Sequence, residues 1–164
     1  MHFQLSVYIH VLAAITWIGG MVFLAVVLVP LSKGIKEPPG LGVRVLGIAA
    51  RRFRIVGWIA LLTLVGSGIW ILSDNGISPS DIATGHGSYF QALRIKVALV
   101  AALLTISILH DFMLGPRLAR KLEALRGPVT SSPPLMRQRM AIAWLARTNL
   151  LLALAVVAFG VILG

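Results

Sequence analysis

The feature that most constrains this chain is a long apolar run near its start, interrupted by a single imidazole. The stretch Tyr8-Ile9-His10-Val11-Leu12-Ala13-Ala14-Ile15-Thr16-Trp17-Ile18-Gly19-Gly20 sits inside an apolar segment, 5–31, that is long enough to cross a bilayer as a helix. A titratable ring in hydrocarbon is costly and usually serves a purpose. Trp17 follows His10 by seven residues and therefore shares its helical face, with Ala13 and Ala14 leaving room between them. The segment has no Lys or Arg before it and is too long for a signal-peptide core, so it is expected to be retained.

Three more runs meet the same criterion, at about 55–72, 93–114 and 141–163. The last helix is expected to begin earlier, near Pro134, with Ser132 as its cap. The pattern predicts an all-α integral membrane four-helix bundle, a single domain over 1–164 with the lipid bilayer as its main partner. Composition agrees: 58% of the residues are hydrophobic and 12% are charged, about half the charge of a soluble domain.

The net charge of +10 would suggest nucleic-acid binding in a soluble protein. Here the basic residues fall in two loops instead. Loop one holds Lys33, Lys36, Arg44, Arg51, Arg52 and Arg54, and loop three holds Arg117, Arg120, Lys121, Arg126, Arg137 and Arg139. Loop two, residues 73–92, holds no Lys or Arg. The positive-inside rule then places loops one and three in the cytoplasm and both termini outside, in a bacterial-type inner membrane, with no nucleic-acid partner.

A weak repeat runs at an offset of 86 residues, pairing Pro30 with Pro116, Glu37 with Glu123, Arg51 with Arg137 and Trp58 with Trp144. It suggests a duplicated two-helix hairpin and pairs His10 with Lys96. The polar residues then fall at two levels. An outer level holds His10, Lys96, Arg94, His86 and Tyr8, and an inner level holds His110, Asp111, Arg147 and Asn149. Asp111 and Arg147 are expected to form an interhelical ion pair.

With no cysteine, thiolate metal sites and iron–sulfur clusters are excluded. Neutral imidazole can bind haem iron, copper or zinc, which makes His10 the first candidate ligand and His86 and His110 further metal candidates. Lys96 and Arg94 are the only outward cations, and a porphyrin's propionates would pair with such groups. These residues and Trp17 define a candidate cofactor site between the first and third helices. A Cu(I) pathway wants soft sulfur, and the five methionines form no ladder at one depth.

The segment from His10 to Gly20, with Trp17 and the Gly19-Gly20 pair, resembles the first helix of the copper-resistance protein D (CopD) family. Arg94-Ile95-Lys96, opening an apolar helix that reaches His110, is similar to that family's lysine-bearing helix. The arrangement also resembles the HemJ type of protoporphyrinogen oxidase, a small helical membrane enzyme that binds haem b. The resemblance implies His10 as a ligand and Lys96 as its functional partner. HemJ-type proteins tend to close helix one with Leu-Pro-Arg-Leu, whereas this chain reads Leu28-Val29-Pro30-Leu31, which favours the CopD-like group.

The expected function is a haem b protein engaged in electron transfer or porphyrin redox chemistry, with a redox partner, a larger membrane complex or an oligomer around it. The alternatives are a copper-handling protein, in transport or cuproenzyme assembly, and a HemJ-like oxidoreductase.

Overall fold

The structure is a computed structural model that describes residues 2–38, 40–117 and 133–163. Of the basic loop-three residues, Arg120, Lys121 and Arg126 lie outside the described residues, as do Glu123 and the proposed cap Ser132. The described chain is helix and short connections, with no strand among the described residues. In order the elements are α1 (His2–Val22), a π-helical turn (Phe23–Leu28), α2 (Val29–Gly34), α3 (Leu41–Asp74), α4 (Pro79–Thr84), α5 (Ser88–Ile108), a second π-helical turn (Leu109–Leu114) and α6 (Pro133–Leu163).

Among the described residues, four helical stretches are long and apolar enough to cross a membrane: Phe3–Gly34, Leu41–Asp74, Ser88–Arg117 and Ala143–Gly160. Lipid offers the backbone no hydrogen-bond partners, so helices that satisfy their own amides are the stable form for such sequences. Many large apolar side chains point outward, as Ile15, Leu62 and Leu151 do, each more than 60% exposed. That is the distribution expected of a chain solvated by lipid, and the protein is an all-α multi-pass membrane protein.

The helices outrun the apolar segments that mark them. α3 has 34 residues, about 50 Å at 1.5 Å per residue, against a hydrocarbon core of about 30 Å. Its first turns carry Arg44, Arg51, Arg52 and Arg54, which are good helix formers but too polar for the bilayer centre. Hydropathy located the span, and helix propensity carried the helix beyond it.

The chain divides into two compact units, Met1–Thr84 and Gly85–Gly164. In the first, α1 and α3 pack as an antiparallel hairpin, shown by contacts that step along both helices. His10 meets Ser67, Trp17 meets Gly57, Gly20 meets the ring of Phe53, and Ser32 meets Gly42. Most of the buried residues described in this unit are small or flat, namely Ser6, Ala13, Trp17, Gly42, Gly57, Ala60 and Ser67, beside Leu28 and Leu61. Small residues let helix backbones approach closely where lipid supplies no hydrophobic drive for association. In the second unit α5 packs with α6, and Leu93, Leu103, Ser107 and Ala153 are buried.

Among the described residues each unit carries one π turn, Phe23–Leu28 and Leu109–Leu114, separated by the repeat's offset of 86. The bonds that close them match as well: Val29 N–H donates to the Leu24 carbonyl, and Gly115 N–H to the His110 carbonyl. The cause is the proline that follows. Pro30 and Pro116 lack an N–H, and their rings press on the carbonyl four residues back, Val26 and Phe112. Both carbonyls lie inside the widened turn, which relieves the clash without ending the helix.

Candidate functional site

His10 lies in the third turn of α1, half-buried, and its Nδ1 is 2.9 Å from Ser67 Oγ on α3. The Ser67 hydroxyl donates to the Thr63 carbonyl oxygen one turn back, at 2.6 Å, with a longer 3.3 Å approach to the Leu64 carbonyl. A hydroxyl has one proton. With that proton directed at Thr63, Ser67 Oγ presents a lone pair to His10, and His10 Nδ1–H is the donor. A neutral imidazole held in this way carries its lone pair on Nε2.

Gly68, next along α3, lies beside the ring: a Cβ there would make ordinary van der Waals contact, 3.6 Å from His10 Cε1. Trp17 lies two turns deeper on the same face, 6% exposed, with its Cδ1 3.6 Å from where a Gly57 Cβ would stand. His10 and Trp17 thus share one face of α1 and both meet glycine-bearing turns of α3, as their spacing of seven implied. The sequence reading missed Ser67 and Thr63. The available signal was Gly66-Ser67-Gly68, a hydroxyl between two small residues inside an apolar run, where such groups commonly bond across helices.

The remaining candidates lie in the second unit. Lys96 projects from α5 toward α6, its Nζ 3.7 Å from the position a Cβ would take at Gly160. Arg94 Nη1 donates to the Gly85 carbonyl at 3.0 Å, holding down the loop that carries His86. His86 itself is exposed, just before Gly87, whose φ of +102° suits glycine and turns the chain into α5.

At the opposite end of α5, His110 Nδ1 is 2.7 Å from Asp111 Oδ1, both within the π turn. Asn149 on α6 donates from Nδ2 to Ser107 Oγ at 3.0 Å, and its Oδ1 is buried without a partner. Arg147, expected to pair with Asp111, instead places its guanidinium over the Trp144 ring, 5.2 Å from the centroid. Among the described residues no three His, Cys, Asp or Glu side chains come together in a metal-binding group.

Fold and site together define a multi-pass helical membrane protein with an imidazole bonded across a helical hairpin. Residues 47–163 match the family model described as copper resistance protein D, and the chain belongs to that family. The matched region contains Ser67, Thr63, Lys96 and His110 and begins after His10. A protein of Aquifex aeolicus (strain VF5), described only as uncharacterized, is 27% identical over 161 residues, covering 96% of this chain and 92% of its own length. No solved structure matches.

Proposed function

We propose that the protein handles copper at the membrane, with Nε2 of His10 as the metal-binding atom near the outward end of the first span. The observation that carries this reading is the bond from His10 Nδ1–H to Ser67, which leaves the lone pair on Nε2. The family description supports copper as the metal. The lack of cysteine turns copper ligation toward imidazole. One imidazole supplies one donor, which suits a metal in passage more than a metal stored. The orientation rests on the basic residues of loop one, at the end of the hairpin away from His10.

A second reading has its own support. A single imidazole is what an axial haem b site asks of the protein, because the porphyrin brings four nitrogens. In that case the activity is electron transfer or porphyrin redox chemistry, with a redox partner or a larger membrane complex.

One experiment separates them. The protein is purified from cells supplied with both haem and copper, and absorption and metal content are measured beside His10→Ala. Copper bound near stoichiometrically, and reduced at least about tenfold in the variant, is the expected result. A Soret band at roughly 410–430 nm that disappears in His10→Ala selects haem instead. Metal or haem content unchanged by the substitution sinks both.

A further inference from the structure

We infer that Ser67 is the positioning residue of the His10 site, and that its hydroxyl selects which imidazole nitrogen can bind a ligand. The inference deepens the proposed function and rests on its assignment of His10. The geometry is a directed chain of two bonds. Ser67 sits in α3, 5% exposed, with Thr63 one turn behind it. At 2.6 Å the Thr63 carbonyl takes the Ser67 proton, so Oγ can only accept from Nδ1 at 2.9 Å. An imidazole held this way cannot present Nδ1 to a metal, and Nε2 becomes the one nitrogen with a lone pair. Ligating histidines are commonly fixed in this manner, with the second ring nitrogen donating to a neighbouring oxygen.

The surroundings fit the role. Ser67 stands between Gly66 and Gly68, so no neighbouring side chain blocks the approach of the ring. The Thr63 hydroxyl is directed away, donating to the Ile59 carbonyl at 2.8 Å, and does not compete for the Ser67 proton. In the second unit the position equivalent to His10 is Lys96 and that equivalent to Ser67 is Ala153. The serine therefore accompanies the histidine, and neither recurs in the other half of the repeat.

The test uses the full chain in micelles with ¹⁵N-labelled histidine. Long-range ¹H–¹⁵N correlations report the tautomer of each ring, and His10→Ala assigns the His10 signals. The wild type is expected to show His10 as the Nδ1–H form. Ser67→Ala is expected to shift the ring toward a mixture, and Ser67→Thr, which keeps the hydroxyl, to restore it. Titration with Cu²⁺ alone is then expected to show affinity weakened about 10- to 100-fold in Ser67→Ala and nearly preserved in Ser67→Thr.

A His10 tautomer unchanged by Ser67→Ala overturns the inference whatever the metal result. So does Ser67→Ala binding Cu²⁺ like the wild type while His10→Ala loses it. If His10→Ala binds Cu²⁺ undiminished and haem binding is likewise unaffected, the failure belongs to the proposed function. The tautomer measurement still decides the role of Ser67.

Discussion

A methyl group at Gly42 would collide with the carbonyl oxygen of Ser32, so the joint between α2 and α3 admits no side chain there. The obstacle is backbone, which cannot swing aside. Gly42→Ala is expected to destabilise the first hairpin by about 1–3 kcal/mol. Gly19→Ala, with nothing within 4 Å of the added carbon, is expected to be neutral or to gain up to about 1 kcal/mol from helix propensity. Thermal unfolding of both variants in detergent reads the difference, and equal midpoints would remove the steric argument.

Asp81 supplies a pH-dependent counterpart in the connection between the units' long helices. Its carboxylate accepts from the Ser78 hydroxyl at 2.5 Å and the Ser78 amide at 2.8 Å, closing the first turn of α4. The hydroxyl bond first, and the amide bond second, hold the carboxyl below its ordinary 3.8. A lowered folded value means that the contribution is present above the unfolded value and disappears as pH falls through the folded one. The protection of amides 78–84 against exchange, relative to their intrinsic rates at each pH, is expected to stay constant from neutral pH down to about 4 and to fall below that. Asp81→Ala should show the faster exchange throughout.

At the level of elements, the two π turns tie the repeat to a physical cause. Proline in a membrane helix usually implies a kink, and the sequence marks Pro30 as the end of a span. The structure carries the helix on through Gly34, because the turn before the proline widens by one residue. Pro30→Ala restores the missing N–H and removes the clash with Val26, so the segment 23–28 is expected to return to α-helical bonding. The Val29 amide would then exchange its bond to Leu24 for one to Ala25, a change visible in amide shifts and in exchange protection. A π turn that persists in Pro30→Ala would make it a property of the surrounding packing.

The same elements show what hydropathy could reveal. Four apolar runs marked four spans because lipid selects strongly for apolar composition. The basic first turns of α3 escaped that reading because helix formation there needs no apolar residues.

At the level of the molecule, the sequence carried the class, the family and the shared face of His10 and Trp17, but not the bond that orients the ring. Ser67 is 57 residues from His10, and only the antiparallel register of α1 and α3 brings them together. Arg147 shows the opposite case, since a charge that looked paired across helices lies over an aromatic ring of its own helix.

The register also makes the orientation testable. His10 and Ser67 lie near the hairpin end that leads into α4, a connection without Lys or Arg, while Lys33, Lys36, Arg44, Arg51 and Arg52 cluster at the other end. If the charge bias sets the topology, His10 faces away from the cytoplasm and meets ligands from that side. A reporter enzyme active only outside the cytoplasm, inserted between Thr84 and Gly85, is expected to be active; the same reporter after Lys36 is expected to be silent. Replacing Lys33, Lys36, Arg44, Arg51 and Arg52 by Gln should raise the fraction inserted the other way. The reverse pattern of reporter activity would turn His10 toward the cytoplasm, and a ligand would then reach it from inside the cell.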